Sequence, residues 1–261
     1  MTRIVIGTSW KMNLTASQAA AWFAVARPLL EPLAASRDLF VLPPFPSLFV
    51  ARDALAGSAI GYGGQDVHAE DGGAHTGDVS GAMLADLGCR YAEIGHSERR
   101  RDHGETDAIV GAKVRAALRS GLTPIVCVGE RDQAPGGAAR KIVEGQLAAG
   151  FAGLDVPDLE RIIVAYEPVW AIGEGAAAAD PAHVEGLHVV IHAWLADRGA
   201  TARRVLYGGS VDEANAAILL ATPGVNGLFV GRAALDPRRF ATIAAMPIAR
   251  SQPTVPTERS A

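Results

Sequence analysis

The chain has very little cysteine. Cys89 and Cys127 are the only two among its 261 residues, and each adjoins a segment typical of a β-strand. A disulfide-built scaffold needs several cysteines, and a cysteine-based zinc site needs pairs about two to four residues apart. Both classes are therefore excluded, and we expect a reduced, cytoplasmic protein.

Long apolar runs and an excess of one charge are also missing. No run approaches the ~20 apolar residues that a membrane-spanning helix needs, and the apolar stretch near the N-terminus is too short for a secretory signal. The net charge is −4, with lysine and arginine scattered along the chain. A nucleic-acid-binding surface is normally basic and clustered. We expect neither a membrane nor a nucleic acid as partner.

Aromatic residues are few, at 6%, but hydrophobic residues together make up 49% of the chain. This balance is typical of a soluble, enzyme-like protein and is sufficient for a large core. No linker rich in proline, glycine or serine divides the sequence, so we predict one domain over residues 1–248. Residues 249–261 are expected to be a disordered tail, because the segment from Arg250 is polar and has two prolines.

Short apolar runs alternate with longer alanine-rich segments of helical period. Runs that are apolar on both faces and separated by helices predict a parallel sheet. The predicted strands are RIVIG, DLFVLP, AIGYGGQ, YAEIG, TPIVCVG, RIIVAYEP, RVLYGG and GLFVG. The predicted helices are Thr15–Leu30, Pro46–Ala56, Ser80–Asp86, Thr106–Ser120, Ala138–Gly150, Pro181–Arg198, Asp212–Ala221 and Pro237–Ala245. Eight such units favour a closed (β/α)8 barrel. A doubly wound open sheet is the alternative, since periodicity does not prove closure.

Most of the predicted strands end in a polar cluster. These clusters read SWKMN, GGQDVH, GHSERR, CVGE, YEPVW, YGGS and VGR. In a parallel barrel all carboxyl ends of the strands meet on one face, where active sites lie. The pattern therefore predicts one functional site built from distant parts of the chain.

Three of these residues have the chemistry for proton transfer. Glu167 is a candidate general base, which contributes about 10²–10⁴-fold to rate when its reach and pKa are right. His96 and Lys11 are candidates to stabilise the negative charge that develops on a carbonyl oxygen. Each one alone is better explained as an ordinary polar residue at a strand end. Three together at convergent strand ends favour a catalytic site.

Two glycine-rich turns follow the last two predicted strands. One contains Gly208, Gly209 and Ser210, and the other contains Gly231. Loops at these positions of a (β/α)8 barrel frequently bind phosphate through backbone N–H groups, which glycine allows an anion to approach closely. Taken in isolation, ordinary turns that close βα units explain them about equally well.

The motifs SWKMN, GHSERR, IVCVGE, AYEPVWAIG and LYGGSV together resemble the triosephosphate isomerase family, in order, from residue 4 to about residue 245. The resemblance implies a TIM barrel in which Glu167 moves the proton, His96 is a neutral electrophile and Lys11 is an electrostatic stabiliser, as described for this enzyme in general accounts of pKa tuning. Glu98 is implied as a supporting catalytic residue. The implied phosphate contacts are Gly173, Ser210, Gly231 and the backbone of Arg232.

The same resemblance implies a moving lid, a partner and an absence of cofactors. Residues 168 to about 178 correspond to a lid that closes over the substrate and excludes water. The segment GAHTGD, with Thr76 near its tip, resembles the loop that enters a neighbouring subunit, so a homodimer is expected. No metal ion or organic cofactor is implied, because the proton shift needs only an acid, a base and charge.

The chain departs from the family pattern in the surroundings of the substrate. Ser9 stands where the family usually has asparagine, and Arg232 replaces a second glycine of the phosphate loop. The lid tip reads Glu174-Gly175-Ala176-Ala177 instead of Thr-Gly-Lys-Thr. Serine is shorter than asparagine, so it leaves space beside the reacting carbons while keeping a hydroxyl group.

The motif GTSWKMN, which contains Ser9, together with VGR, which contains Arg232, resembles the tetrulose-phosphate isomerases of four-carbon polyol catabolism, a branch of the family. The favoured hypothesis is therefore isomerisation of L-erythrulose 1-phosphate to D-erythrulose 4-phosphate. The alternative is true triosephosphate isomerase, which acts on dihydroxyacetone phosphate and D-glyceraldehyde 3-phosphate. A barrel that binds sugar phosphate without catalysis is the third hypothesis, and retention of Lys11, His96 and Glu167 argues against it.

Overall fold

Eight parallel strands form a closed barrel in chain order, and the last strand pairs with the first. The computed structural model describes residues 3–134, 136–173, 177–201 and 203–247. The strands are β1 (Ile4–Ser9), β2 (Arg37–Leu42), β3 (Gly61–Gly64), β4 (Tyr91–Ile94), β5 (Thr123–Val128), β6 (Ile163–Tyr166), β7 (Arg204–Tyr207) and β8 (Gly227–Val230). All eight predicted strands are confirmed. The open sheet is excluded, because Val5, Ile6, Gly7 and Thr8 are in register with residues 227–230.

The helices surround the barrel. Within the described residues they are α1 (Ala16–Leu30), α2 (Leu48–Ala54), α3 (Gly81–Asp86), α4 (Ser97–Asp102), α5 (Asp107–Arg119), α6 (Gly136–Gly150), α7 (Val156–Arg161), α8 (Pro181–Ala196), α9 (Ala216–Ala221) and α10 (Pro237–Ala244). Helix α1 begins at a capping box, in which Thr15 and Gln18 each satisfy a backbone N–H of the other. None of these helices combines the length and the hydropathy that crossing a membrane requires.

The predicted helices are reproduced, with three differences. Helices α4 and α7 were not predicted, because their six-residue sequences SERRRD and VPDLER have too few apolar residues to display a helical period. The segment predicted as Pro46–Ala56 divides into a 3₁₀ turn (Phe45–Ser47) and α2. Helix α9 begins at Ala216, after a turn in which Asp212 and Asn215 hydrogen-bond to backbone N–H groups. The predicted tail, residues 249–261, lies outside the described residues.

Side chains of alternate strand residues fill the barrel interior. Much of the interior is apolar, and one buried cluster there includes Val5, Phe40, Ile125, Ile163 and Phe229. Because side chains alternate between the two faces of a strand, the interior face of β1 continues from Val5 to Ser9. By the same alternation β4 continues from Tyr91 to Glu93. The barrel therefore changes from apolar to polar toward the carboxyl ends of its strands.

A second core lies between the barrel and the helices. Trp10 packs edge-on against Trp22, with ring centroids 4.8 Å apart, and also contacts Phe23. Trp22 also packs against Phe240 of α10 and donates its indole N–H to the Ala234 carbonyl at 2.9 Å. This aromatic cluster joins the first and last helices where β1 ends, so it supports the backbone that carries Lys11.

Candidate active site

A cavity of about 580 Å³ opens at the carboxyl ends of the strands. Nine of the ten residues predicted for the site line this cavity. The fold therefore brings together residues that lie as far apart in the chain as positions 9 and 232. They are Ser9, Lys11, His96, Glu98, Glu167, Gly173, Ser210, Gly231 and Arg232. The cavity is of the size that small-molecule sites usually have.

Glu167 follows β6 and is 3% exposed. Its backbone N–H donates to the Val128 carbonyl at 2.8 Å, which continues the β5–β6 pairing by one residue. Two glycines make room for it. A Cβ at Gly129 would lie 2.0 Å from the Glu167 carbonyl oxygen, and one at Gly208 would lie 2.9 Å from its Cγ. Among the described residues, Glu167 Oε2 has no hydrogen-bond partner, so a residue that lines the cavity carries a buried acceptor that is unused.

His96 caps the N-terminus of α4. Its Nδ1 atom accepts the backbone N–H of Glu98 at 3.1 Å, so the ring proton of a neutral imidazole must sit on Nε2. His96 Nε2 lies 3.8 Å from Glu167 Oε2. This arrangement directs an N–H donor and a carboxylate acceptor toward the same small volume.

Lys11 lies in the turn after β1 with φ of +55°, a left-handed conformation that is uncommon outside glycine. The Asn13 side-chain amide stabilises this turn by donating to the Trp10 carbonyl at 2.7 Å. Lys11 Nζ then reaches Glu98 Oε1 at 2.7 Å. Partial burial opposes ionisation of Glu98, but the hydrogen bond and charge of Lys11 outweigh it and lower the Glu98 pKa. The pair therefore holds the ammonium group at the mouth of the cavity.

Glu93 is a cavity residue that the sequence reasoning missed. It is 2% exposed and accepts the Ser9 hydroxyl at 2.7 Å on Oε2. Burial raises its pKa to about 7, with a further increase from the nearby Glu167, while His96, the Ser9 hydrogen bond and Lys11 oppose the rise. The sequence carries only a partial signal, because YAEIG has a charged residue in an otherwise apolar run but does not show which face of the strand that residue takes.

The ionisation of Glu93 makes folding stability depend on pH. An unfolded chain releases this proton near the ordinary pKa of 4.5, whereas the folded protein keeps it until about pH 7. The folded state therefore binds more protons between these values, and the free energy of unfolding falls as pH rises toward 7. At about 1.4 kcal/mol per pKa unit the loss reaches roughly 3 kcal/mol above pH 7.

We expect Glu93→Gln to abolish this loss, because an amide of the same shape does not ionise. The unfolding free energy of the variant minus that of the wild-type protein should therefore be roughly 3 kcal/mol higher at about pH 8.5 than at about pH 4.5. Urea unfolding of both proteins at the two pH values measures the change. A difference between the two proteins that stays constant with pH would contradict a buried, titrating Glu93.

The glycines near the predicted phosphate site have different roles. None of the described atoms lies within 4 Å of a Cβ built at Gly231 or Gly173, so these two glycines border open space. Gly173 also has a φ angle of +123°, which residues that carry a side chain rarely adopt. By contrast, a Cβ at Gly208 would press on Glu167, and one at Gly209 would lie 2.2 Å from the Tyr207 hydroxyl. The pair in YGGS therefore accommodates neighbouring side chains.

Arg232 begins a 3₁₀ turn, Arg232–Leu235, directly after Gly231. It lines the cavity while its side chain is largely exposed. Ser210, in the preceding βα loop, donates its backbone N–H to the Ala171 carbonyl at 3.0 Å. This hydrogen bond ties the predicted phosphate loop to the segment after Glu167. The contacts of these residues with phosphate stay a prediction.

Both ends of the predicted lid are anchored to the barrel. The Trp170 indole donates to Glu130 Oε1 at 2.8 Å, and the Tyr166 hydroxyl donates to the same buried carboxylate at 3.0 Å. At the other end, the Ala179 N–H donates to the Tyr207 hydroxyl at 3.1 Å. Residues 174–176 of the lid tip lie outside the described residues. Thr76, the tenth predicted residue, lies away from the cavity on an exposed loop after β3.

A site of this construction belongs to a (β/α)8-barrel enzyme with acid–base chemistry. The family model described as triosephosphate isomerase matches residues 4–246. The triosephosphate isomerase of Thermus thermophilus is 47% identical, covering 92% of this chain and 97% of its own length. That of Symbiobacterium thermophilum is 42% identical, covering 92% and 95%. The crystal structure of triosephosphate isomerase from Bartonella henselae has a TM-score of 0.81 and 37% identity, covering 92% and 97%.

The chain therefore belongs to the triosephosphate isomerase family, and it is an intramolecular sugar-phosphate isomerase. The family resemblance of the sequence motifs and the predicted TIM barrel are both confirmed.

Proposed function

We propose that this protein interconverts dihydroxyacetone phosphate and D-glyceraldehyde 3-phosphate. The names of its relatives support the triose substrate over the four-carbon substrate that the sequence reasoning favoured. The observation that carries the isomerase proposal is the geometry of Glu167. Its buried Oε2 atom, without a partner among the described residues, lies 3.8 Å from His96 Nε2 inside the cavity.

The proposed reaction moves one proton between adjacent carbons. Glu167 removes a proton from the carbon beside the carbonyl group, and the bond electrons form an enediolate. The Nε2–H of His96 and the Lys11 ammonium stabilise the negative oxygen, which is the role preorganised donors play at oxyanions. Glu167 then returns the proton to the neighbouring carbon, while the hydroxyl proton moves to the former carbonyl oxygen.

Phosphate binding is assigned to the side of the cavity that Gly173 and Gly231 line. Gly231 and Gly173 border space into which a phosphate group can approach the backbone closely. Ser210 and the backbone of Arg232, at the start of the turn Arg232–Leu235, complete the proposed phosphate contacts. Binding energy from the phosphate would position the reacting carbons beside Glu167.

The second candidate reaction is conversion of L-erythrulose 1-phosphate to D-erythrulose 4-phosphate. This substrate is dihydroxyacetone phosphate with a hydroxymethyl group in place of one hydrogen on the reacting carbon. The specific observation in its favour is Ser9, whose small side chain lines the cavity and donates to Glu93. The proton transfer is the same for both substrates, so only the space and polarity near Ser9 distinguish them.

The test is kcat/KM of the wild-type protein for both phosphates. A site that hydrogen-bonds an extra hydroxyl can reject a substrate lacking it by about 10⁴–10⁵, whereas added space alone gives about 10–200-fold. Triose turnover without tetrulose turnover would remove the second candidate, and turnover of neither would refute an isomerase. Ser9→Asn is expected to shift the preference toward the triose, and an unchanged ratio would exclude Ser9 as the selector.

Two further expectations from the sequence stay predictions. We propose a homodimer, since the exposed loop around Thr76 presents a row of exposed residues from 71 to 78 that a neighbouring subunit could cover. We also propose a cytoplasmic location, which the two unpaired cysteines, both buried, support.

A further inference from the structure

We propose that Glu93, together with Ser9, determines substrate specificity by holding a hydroxyl group of the substrate one carbon beyond the reacting pair. The inference rests on the proposed isomerase function. It extends the substrate class to short ketose phosphates that carry a hydroxymethyl group where dihydroxyacetone phosphate carries hydrogen.

The position of Glu93 in the barrel fits this role. Strand β4 is four strands from β8 in either direction around the ring, so Glu93 lies across the barrel from the turn proposed for phosphate. A carboxylate oxygen of Glu93 lies within 4.8 Å of one of Glu167. A hydroxyl attached one carbon beyond the carbon that Glu167 deprotonates is therefore within hydrogen-bond reach of Glu93.

Glu93 has hydrogen-bonding capacity left over. Oε2 accepts a hydrogen bond from the Ser9 hydroxyl at 2.7 Å. Among the described residues, the one hydrogen-bond partner of Oε1 is the Cys127 thiol, whose Sγ lies 4.0 Å away. A thiol is a weak donor, and a carboxyl group has about four lone-pair positions. Since Glu93 lines the cavity, the unused acceptor position is available to a ligand.

A purely structural role accounts poorly for this residue. A buried carboxyl group is costly unless it is paired with an opposite charge or fully hydrogen-bonded. Glu93 has no salt bridge among the described residues, and its raised pKa of about 7 reflects incomplete compensation. A substrate hydroxyl would supply the missing hydrogen bond.

The experiment compares kcat/KM for L-erythrulose 1-phosphate and dihydroxyacetone phosphate in Glu93→Leu and wild-type protein. We expect the tetrulose-to-triose ratio to fall by about 10- to 100-fold, the range for losing one hydrogen bond to a charged or buried polar group. Leu42→Met is the matched control. It changes another buried residue of the barrel interior, which neither lines the cavity nor contacts Glu93 through a hydrogen bond, and it should leave the ratio unchanged.

The pH dependence of the tetrulose-to-triose kcat/KM ratio distinguishes direct contact between Glu93 and the substrate from a purely structural role of Glu93. The other charged or titratable groups near Glu93 are Lys11, His96, Cys127 and Glu167. They are the same whichever substrate is bound, so their contributions cancel in the ratio. The ratio should rise with pH through about 7 in the wild-type protein, because an ionised carboxylate accepts a hydroxyl hydrogen bond more strongly. In Glu93→Gln the ratio should be independent of pH, and this variant also serves if Glu93→Leu does not fold.

Three results would overturn the inference. The first is equal loss of both activities in Glu93→Leu, and the second is a pH-independent ratio in the wild-type protein. The third is wild-type turnover of the triose alone, which removes the hydroxyl subsite but leaves the isomerase proposal standing. Turnover of neither phosphate would overturn the proposed function as well.

Discussion

Replacing Glu167 with glutamine is expected to lower kcat by about 10²–10⁴-fold, the usual contribution of a general base. The amide has the shape of the carboxylate and fits the space that Gly129 and Gly208 leave, but it cannot take a proton from carbon. Because the change affects the transition state more than ground-state binding, KM should change little. Steady-state kinetics with dihydroxyacetone phosphate and circular dichroism of the folded variant provide the measurement.

A surface carboxylate provides the control for this substitution. Glu144 lies on α6 and pairs with Arg140 at 3.0 Å, remote from the residues that line the cavity. Glu144→Gln should retain wild-type kcat. If Glu167→Gln kept kcat within a few-fold of wild type, Glu167 would not be the base, and another group would have to remove the proton. A sugar-phosphate-binding barrel would become the better explanation only if the wild-type protein itself showed no turnover.

Replacing Lys11 with methionine is expected to lower kcat/KM by about 10²–10³-fold, the range for losing one group that stabilises an oxyanion. Methionine has a similar length and leaves the Trp10 cluster in place, but the ammonium that Glu98 holds at 2.7 Å is lost. The left-handed backbone at residue 11 shows that the chain accepts local strain to place this group.

Two companion variants define the role of the ammonium group. Lys141→Met removes an exposed lysine of α6 and should leave kcat/KM at the wild-type value. Glu98→Gln keeps the Lys11 charge but weakens its anchor, so it should cost less than Lys11→Met. If Lys11→Met changed kcat/KM by less than tenfold, or if Glu98→Gln cost more, Lys11 would serve mainly to anchor Glu98.

The strands and the position of the site could be predicted from local signals. Apolar runs such as TPIVCVG identify strands that are covered on both faces, and their ends coincide with polar residues. The residues that line the cavity belong to five of the eight strands and the segments that follow them, namely β1, β4, β6, β7 and β8, whose carboxyl ends converge on one face. Helix α4 escaped prediction because SERRRD has no apolar residue, so its capping by His96 was invisible as well.

Glu93 and the glycine pair in YGGS required the tertiary structure. A charged residue in a short strand can face the helices, the solvent or the barrel interior, and its sequence neighbours do not decide between them. Only the closed barrel brings Ser9 of β1 within 2.7 Å of Glu93 on β4. Likewise, the sequence left open whether the turn with Gly208 serves phosphate binding or only closes a βα unit, and the structure shows that Gly208 makes room for the Glu167 side chain.

By itself the sequence determined the order of strands and helices, the family motifs and the residue types available for proton transfer, because periodicity, capping and turn preferences act between near neighbours in the chain. The tertiary structure decided which side chains share the cavity, how Lys11, His96 and Glu167 are oriented, and that a titrating Glu93 lies among them. Burial and electrostatic coupling depend on distances between residues far apart in sequence, and only closure of the barrel sets those distances.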